Sequence, residues 1–344
     1  MNIIDMLYMV IEKNASDLHL IKGIPPAMRI NGELVYLNNT PLTENNLLMI
    51  LNDVIKDENK RSSFLDEKEY DFAYELGSDA RFRFNLYYQM NSVAFSIRHV
   101  PMKIPKLEDI NLPKILRELI KKQNGLILVT GPTGSGKSTT LASMIDLINQ
   151  EQSLHIVTIE DPIEYVYKPK KSIISQREVG GDTQSFSSAL KHVLRQDPDV
   201  ILIGEIRDLE TMQAGITAAE TGHLVFSTLH TTSASQTIDR IIDIFPPHQQ
   251  AQIRSQLSIT LQAVVTQRLA RRIDMKGRIP TTEVLIATPA IRSMIREGKS
   301  QQIYSVIEMG REYGMHTMEQ STNDLITKGI LRREDAATIS GFAA

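Results

Sequence analysis

Residues 131–138 read Gly-Pro-Thr-Gly-Ser-Gly-Lys-Ser, which fills the pattern G-x-x-x-x-G-K-[ST]. The apolar run Leu-Ile-Leu-Val at 126–129 precedes them, and residues 139–148 follow with apolar side chains at helical spacing. A strand, a glycine-rich turn and a helix in this order form a phosphate-binding loop. The sequence therefore predicts that the chain binds a nucleoside triphosphate.

The positions of this loop have distinct expected tasks. The glycines let successive backbone N–H groups curl around a polyphosphate, Lys137 reaches the terminal phosphates, and Ser138 offers an oxygen to Mg²⁺. The expected nucleotide-binding residues are Gly131, Pro132, Thr133, Gly134, Ser135, Gly136, Lys137, Ser138 and Thr139.

Composition narrows the possible classes of protein. A chain of 344 residues is expected to hold two domains. The formal net charge of −3 gives no bulk basic field, which argues against nucleic acid as a partner. The chain has no cysteine, which excludes disulfides and cysteine-ligated zinc and permits a reducing cytoplasm. It has no run of about 18 apolar residues, so no membrane span is expected.

The first 100 residues predict a mixed α+β domain without phosphate chemistry. Residues 1–13 are typical of an amphipathic helix rather than a signal peptide. Asn31-Gly32 separates the strand-like segments 27–30 and 33–37, which is a hairpin signal. Thr43 is a candidate helix cap.

Prolines at 101 and 105 indicate a linker, which we place at residues 101–112. In the remaining chain, residues 113–344, strands alternate with helices, which predicts a mostly parallel sheet covered on both faces. The candidate strands are 126–130, 155–159, 200–203 and 224–228. From about residue 288 to 344 only helical signals remain.

Two carboxylate sites follow predicted strands, where α/β folds place their chemistry. The strand at 200–203 is followed by Gly204 and Glu205, a Walker B form in which glycine takes the usual Asp position. Glu205 is therefore expected to hold Mg²⁺ through water. The strand at 155–159 leads into Glu-Asp-Pro-Ile-Glu, whose proline stiffens the turn. We expect its last residue, Glu164, to orient or deprotonate the attacking water.

Two histidines, His223 and His230, bracket the predicted strand at 224–228. Neither has cysteine partners or metal-ligand spacing, so a zinc site is not expected. His230, at the carboxyl end of that strand, is a candidate sensor of the γ-phosphate.

A predicted hairpin in the first domain carries arginines on one polar face. In the segment 81–86, polar and apolar residues alternate. With the turn centred on Met90-Asn91, Arg83 stands opposite Arg98. Like charges directly across a hairpin are destabilising, so an anion should offset them. A triphosphate is one candidate, reached from another domain or subunit as by an arginine finger, and a solvated basic face is the alternative.

Together these motifs resemble the secretion-type ATPases of type II secretion and type IV pili, over nearly the whole chain. The matching stretches are Ala-Ser-Asp-Leu-His-Leu at 15–20, the phosphate loop, the Asp-box-like residues 158–164, Ile-Gly-Glu-Ile-Arg-Asp at 203–208, and the His-box-like residues 219–223 and 229–231.

Three features resemble the pilus retraction branch, the ATPases of twitching motility. The chain is expected to start directly at a PAS-like domain, without the long extra domain of extension and secretion members. The four-cysteine zinc insert of those members is missing. Residues 290–297, Ala-Ile-Arg-Ser-Met-Ile-Arg-Glu, resemble the branch signature Ala-Ile-Arg-Asn-Leu-Ile-Arg-Glu, with departures at Ser293 and Met294.

The signature segment also predicts an amphipathic helix. Ile291, Met294 and Ile295 form an apolar stripe, and Arg292 and Arg296 lie one turn apart on another face. We expect this helix to couple a motor to its load rather than to perform chemistry, although a plain amphipathic surface helix shows the same pattern.

The resemblance implies an α/β fold: a PAS-like α+β domain at residues 1–100, then a RecA-like P-loop NTPase domain with a helical C-terminal extension. It implies ATP and Mg²⁺ as cofactors, water activation by Glu164, Mg²⁺ binding by Ser138 and Glu205, and arginines supplied in trans. Arg195 matches a further motif arginine. The implied catalytic residues are Lys137, Glu164, Glu205, Arg207, His230, Arg83 and Arg98.

The resemblance further implies a hexameric ring in which the PAS-like domain packs on the neighbour's RecA-like domain. The ring would power type IV pilus retraction at the cytoplasmic face of the inner membrane. An inner-membrane pilus platform protein and a paralogous retraction ATPase are the implied partners, and no nucleic acid is expected.

Four other functions stay open. An accessory retraction ATPase fits residues 106–109 and 179–182 equally well, and a secretion or extension ATPase shares the motifs. A nucleic-acid translocase would share the phosphate-binding loop and the ring, although the net charge argues against a nucleic-acid partner. A nucleotide-gated adaptor would bind ATP without turnover, which the intact Lys137, Glu164 and Glu205 argue against.

Overall fold

The computed structural model describes residues 2–30, 32–77, 80–100, 104–274 and 277–334. The chain divides into two compact units, Met1–Lys103 and Ile104–Ala344. Each unit has a sheet and an apolar core of its own. Within the described ranges, every helix is too short or too polar to cross a membrane.

The first unit is a six-stranded antiparallel sheet with helices packed on it. Its elements are α1 (Ile3–Glu12), β1 (Asp17–Leu20), β2 (Ala27–Ile30), β3 (Glu33–Tyr36), α2 (Glu44–Val54), α3 (Glu58–Glu67), β4 (Glu69–Leu76), β5 (Ala80–Gln89) and β6 (Ser92–Val100). The strand order is β3-β2-β1-β6-β5-β4. The predicted α1 helix and the β2–β3 hairpin are confirmed, and Thr43 caps α2 by accepting from the backbone N–H of Asn46.

The register of the β5–β6 hairpin is also as predicted. Gln89 pairs with Ser92, so Met90 and Asn91 form a two-residue turn. Both turn residues have positive φ, 49° and 59°, as the primed hairpin turns require. Arg83 consequently stands directly opposite Arg98.

The charges that offset these two arginines lie in the same unit. The Nε atom of Arg83 is 3.5 Å from Oδ1 of Asp71, and Nε of Arg98 donates to Oδ1 of Asp17 at 2.9 Å. Neighbouring strands β4 and β1 thus supply carboxylates beside both arginines, and an additional role of this pair toward a triphosphate stays a prediction.

The second unit is a seven-stranded sheet with helices on both faces. Its elements are α4 (Leu116–Leu119), β7 (Gly125–Thr130), α5 (Lys137–Glu151), β8 (His155–Glu160), β9 (Ile173–Glu178), α6 (Phe186–Val193), β10 (Val200–Ile203), α7 (Leu209–Glu220), β11 (Leu224–Leu229), α8 (Ala234–Asp243), α9 (Pro247–Thr260), β12 (Leu261–Arg271), β13 (Arg278–Ile286), α10 (Pro289–Glu297), α11 (Ile303–Met309) and α12 (Met318–Thr327), with short 3-10 helices at Ser300–Gln302 and Arg311–Tyr313. The strand order is β13-β12-β7-β11-β10-β8-β9, and only the β12–β13 pair is antiparallel.

The central strands are buried on both faces, which explains their unbroken apolar sequences. In β7, Leu126 and Leu128 pack into one core, whereas Ile127 and Val129 pack into the other. Helix α5 covers the second of these faces. The four strands predicted from apolar runs, β7, β8, β10 and β11, are confirmed.

Strand β12 escaped prediction because polar residues interrupt its apolar pattern. Thr266 and Gln267 are both fully or almost fully buried. Thr266 shares a hydrogen bond with Thr130 across the β7–β12 pair at 2.8 Å, and Gln267 contacts the phosphate loop. The polar side chains that hide the strand in the sequence are those that join it to the nucleotide-binding region.

Helix α10 gives its two arginines different surroundings. Ile291 and Ile295 are buried in the core as the stripe predicts. Nη1 of Arg292 donates to the carbonyl oxygens of Ser258 and Ile259 at the end of α9, at 2.7 and 2.5 Å. Arg296 is exposed and makes only a long contact to the adjacent Ser293 hydroxyl, at 3.4 Å. Arg292 therefore satisfies carbonyls that the end of a helix leaves unpaired, and the coupling role expected of α10 stays a prediction.

We expect Arg292→Ala to lower the free energy of unfolding by about 1–3 kcal/mol, since two hydrogen bonds from a charged group to backbone carbonyls are lost. Arg296→Ala is the matched control on the same helix and should change stability by less than about 0.5 kcal/mol. Urea titrations of the two variants measure the difference, and equal effects would contradict the assignment of Arg292 to the α9 terminus.

Candidate active site

The phosphate loop joins the end of β7 to the start of α5 and is shaped by β12. Gly131, Gly134 and Gly136 have φ values of 141°, 77° and 88°, a region that favours glycine. A Cβ atom on Gly131 would stand 2.2 Å from the carbonyl oxygen of Gln267. The Gln267 amide in turn donates to the carbonyl of Ser135 at 2.6 Å. The loop is thus held in a curled form at a helix N-terminus, which fits a phosphate group.

Lys137 is the first residue of α5 and lies in the field of two carboxylates. Its Nζ atom donates to the carbonyl oxygens of Gly131 and Pro132 at 2.9 and 3.1 Å. Burial lowers the pKa of the Lys137 ammonium, and the negative charges of Glu205 and Glu164 act in the opposite direction. Lys137, Glu164 and Glu205, which were predicted from three separate motifs, therefore interact electrostatically in the folded chain.

Glu205 stands just beyond the carboxyl end of β10. Its carboxylate forms an ion pair with Arg207 and lies 3.5 Å from Nε2 of His230. The Glu205 side chain is only 15% exposed, whereas Arg207 and His230 are 71% and 54% exposed. The carboxylate forms the floor of the site and the two basic side chains form its rim. Glu205 and Ser138 offer oxygen donors, the type that Mg²⁺ takes.

The structure explains why glycine stands in the usual Asp position of the Walker B motif. The N–H of Gly204 donates to the carbonyl of Ile159 at 2.8 Å. A Cβ atom at Gly204 would lie 3.3 Å from that carbonyl oxygen and from the Cα atom of Glu160. These contacts are tighter than ordinary packing, so a side chain here would push apart the ends of β8 and β10.

Glu164 lies on the loop after β8, and the residues on both sides of it are anchored. The N–H of Ile163 donates to Oε2 of Glu178 at 3.0 Å. The hydroxyl of Tyr165 shares a hydrogen bond with Oγ1 of Thr139, in the first turn of α5, at 3.0 Å. The exposed Glu164 carboxylate is thereby fixed beside the phosphate loop. The Asp161–Pro162 bond in this loop is cis.

Sequence reasoning missed Glu160, the last residue of β8. Its carboxyl group is buried and accepts from the hydroxyl of Thr158 at 2.7 Å and from the amide of Gln176 at 3.3 Å. It also accepts from the backbone N–H of Glu164. Burial raises the pKa of Glu160 to about 7, against the effect of these hydrogen bonds. The one sequence signal is Thr158, two residues earlier on the same face of the strand.

Of the remaining predicted residues, His223 and Arg195 belong to the second unit and two arginines belong to the first. His223 bonds the carbonyl of Ala218 at the end of α7, at 2.9 Å. Arg195 is exposed just beyond α6. Arg83 and Arg98 belong to the first unit, where the Asp71 and Asp17 carboxylates described above flank them.

Comparison with known proteins agrees with the fold. The family model described as type II/IV secretion system protein matches residues 87–338. The type IV pilus retractation ATPase PilT of Pseudomonas aeruginosa is 46% identical over 98% of this chain and 97% of its own length. The type IV pilus ATPase PilU of the same organism is 41% identical over 96% of this chain and 86% of its own. A crystal structure of the pilus retraction motor PilT with bound ADP superposes with a TM-score of 0.92, at 48% identity over 99% of this chain and 97% of that one.

The chain belongs to the type II/IV secretion system protein family. The identification of a PilT-like retraction ATPase is confirmed by these relatives, and so is the prediction of an N-terminal α+β domain followed by a RecA-like ATPase domain.

Glu160→Gln should change the pH dependence of stability. The native state holds a proton on Glu160 up to a pKa of about 7, whereas the unfolded chain releases it near 4.3. The stabilisation that the protonated Glu160 gives the folded state is fully present below about pH 4.3 and is lost as the pH rises through 7. Between pH 5 and pH 8 the variant should therefore gain stability relative to wild type, on the order of 1–3 kcal/mol.

Urea unfolding at both pH values measures this difference. Asp161→Asn, at the exposed neighbouring carboxylate, is the control and should show no such gain. A difference between Glu160→Gln and wild type that stays constant from pH 5 to pH 8 would show that Glu160 is already ionised in the folded protein at low pH.

Proposed function

We propose that this chain is an ATP-hydrolysing motor that drives type IV pilus retraction. One observation carries the proposal: the negative charges of Glu205 and Glu164 both act on the Lys137 ammonium at the carboxyl edge of the parallel sheet. This is the set of groups that phosphoryl transfer to water requires, and similarity to PilT over almost the whole chain indicates its use.

The residues of the site have separate tasks in this proposal, which follow from their charge and position. The loop at 131–139 binds the phosphates through its N–H groups, and Lys137 leaves the Gly131 and Pro132 carbonyls to meet the terminal phosphate. Glu164 accepts the proton of the attacking water or orients that water. His230 and Arg207, on the rim beside Glu205, contact the γ-phosphate side of the site.

Mg²⁺ completes the set in this proposal. Ser138 and Glu205 would hold it, Glu205 through water. When bound, the ion neutralises charge on the β- and γ-phosphates. The Glu205 carboxylate already contacts Arg207 and His230, and these contacts would compete with its role in holding the ion.

Arg83 and Arg98 are proposed to act on the nucleotide of a neighbouring subunit in a hexameric ring. The Arg98 side chain is 68% exposed although it bonds Asp17. An arginine held by one carboxylate keeps further N–H groups for an anion, because guanidinium has five donors. A heterologous interface that closes into a ring would present these groups to the next phosphate loop.

The proposed partners follow from the same role. The ring would bind an inner-membrane pilus platform protein at the cytoplasmic face of the membrane, together with a paralogous retraction ATPase. No nucleic-acid partner is proposed, because the net charge of −3 gives no basic field that would attract one.

The accessory retraction ATPase is the second candidate. The 41% identity to PilU supports it, below the 46% identity to PilT. Retraction in cells that lack their principal retraction ATPase separates the two, since a principal motor restores it alone.

Lys137→Ala should lower ATP turnover at least about 100-fold, because the terminal phosphate loses its main cation. Glu205→Ala should lower turnover similarly while ADP binding persists, because Glu205 acts on the metal and the reacting end. Phosphate release and titration with a fluorescent ADP measure the two effects. Normal phosphate release by either variant would remove that residue from catalysis.

Mixed rings test the proposed arginines. Arg98→Ala and Glu164→Ala proteins, each inactive alone, should regain activity when mixed. In randomly mixed rings, about a quarter of the interfaces join an intact pocket to an intact arginine.

Rings made only of the Arg98→Ala/Glu164→Ala double variant are the control and should stay inactive. Absence of rescue in rings with proven mixing would assign Arg98 to its own subunit or to the fold.

A further inference from the structure

Glu164 lies in a long connection that has neither helix nor strand. Strands β8 and β9 run parallel, and residues 161–172 join them without regular secondary structure. Parallel neighbours are usually joined through a helix, and a long connection without one is uncommon in a compact domain. Because this segment takes part in no ladder or helix, other groups must bind its main chain and fix the position of Glu164.

Strand β9 binds the connection through two of its side chains. Gln176 and Glu178 are two residues apart on this strand, so they share one face of the sheet. Oε2 of Glu178 accepts from the N–H of Ile163 at 3.0 Å, which anchors the residue before Glu164. Gln176 binds the main chain on the other side of Glu164.

The side-chain amide of Gln176 binds the main chain on both sides of Val166. Its Nε2 atom donates to the carbonyl oxygen of Tyr165 at 2.8 Å, and its Oε1 atom accepts from the N–H of Tyr167 at 2.9 Å. A residue in an adjacent parallel strand would bind one C=O and one N–H in the same manner. One side chain therefore takes the place of a neighbouring strand beside the residues that follow Glu164.

The same amide also reaches the end of β8. Nε2 of Gln176 lies 3.3 Å from Oε1 of Glu160 and donates to it, and Glu160 in turn accepts from the backbone N–H of Glu164. A primary amide offers an acceptor oxygen and two N–H donors, which matches these three partners. Glutamate would lack the donors, and methionine would lack both the donors and the oxygen.

The connection is held from the side of α5 as well. The hydroxyl of Tyr165 shares a hydrogen bond with Oγ1 of Thr139 at 3.0 Å, two residues after Lys137. The main chain next to Glu164 is thus fixed between β9 and the helix that begins at the phosphate loop. Such precision matters for a reacting group, because a displacement of about 1 Å can cost about 100-fold in rate.

We propose that Gln176 is a positioning residue for ATP hydrolysis, which fixes the main chain around Glu164 so that the carboxylate keeps its place beside the phosphate loop. Gln176 touches neither the nucleotide nor the attacking water and acts only through Glu164. The inference rests on the proposed ATPase function and adds to it a task for β9, the strand at the edge of the sheet.

Removing the amide is the direct test. Gln176→Met keeps the length of the side chain and removes its three hydrogen bonds. In the full chain with Mg²⁺, it should lower kcat at least about tenfold, while ADP affinity measured by calorimetry stays within about twofold of wild type. The two quantities separate because Glu164 acts on the attacking water and not on the bound phosphates.

The preceding residue on β9 provides the matched control. Ser175 points to the opposite face of the sheet and bonds Nε2 of His155 at 3.1 Å. Ser175→Ala also removes a side-chain hydrogen bond from β9, and it should leave both kcat and ADP affinity unchanged.

A second background distinguishes positioning from a general loss of structure. In a Glu164→Gln protein, adding Gln176→Met should lower single-turnover hydrolysis by less than about twofold further, because the residue through which Gln176 acts is already lost. A residue that merely supports the fold would lower the rate by the same factor in both backgrounds.

Gln176→Glu is the second variant. It keeps the side-chain volume and the acceptor for the N–H of Tyr167 but removes both donors, so kcat should fall here too while ADP affinity persists. Thermal unfolding establishes that each variant is folded, and the same comparisons on Gln176→Glu decide if Gln176→Met does not fold.

The outcomes separate the two proposals. Wild-type kcat in a folded Gln176 variant, an equal loss of kcat and ADP affinity, or the same loss in both backgrounds overturns the role of Gln176 and leaves the ATPase proposal standing. Turnover by Glu164→Gln at the wild-type rate would instead overturn the proposed task of Glu164, and the positioning role with it.

Discussion

The contact between the ends of β8 and β10 determines the geometry of the active site. Gly204 lies against the backbone of Glu160 so closely that a Cβ atom would stand 3.3 Å from the Cα of Glu160, tighter than ordinary packing. The next residue, Glu205, lies just beyond the carboxyl end of β10 and reaches the floor of the site. At the end of β8, the Glu160 carboxyl bonds the N–H of Glu164. One close approach of two backbones therefore sets both carboxylates that act on Lys137, and the departure from the usual Walker B residue follows from it.

The parts of the fold that the sequence could predict are those in which local pattern and tertiary environment agree. Strands β7, β8, β10 and β11 are buried on both faces, so their apolar runs were sufficient. Strands β9 and β12 were missed because they carry polar residues with tertiary partners. Gln176 on β9 bonds Glu160, and Gln267 on β12 bonds Ser135. Those partners are distant in sequence, and no local pattern contains them.

The same limit applies to charged residues at the site and elsewhere. Alternation and turn length predicted correctly that Arg83 faces Arg98, because both are local properties of a hairpin. The carboxylates beside them, Asp71 and Asp17, belong to other strands, and Asp17 is 81 residues from its partner. Similarly, helical spacing placed Arg292 and Arg296 on one face, yet only Arg292 meets the end of α9. The periodicity of a sequence predicts in which direction a side chain points, but it does not predict which groups that side chain contacts.

Strand β12 connects the phosphate loop to the rest of the unit. On one edge it pairs with β7, and its Gln267 bonds the loop and α5. On the other edge it pairs with β13, whose Thr282 N–H donates to the Ser321 hydroxyl of α12. The phosphate loop is therefore attached, through Gln267, to a strand that is hydrogen-bonded along both edges, and this attachment holds the loop in its curled form.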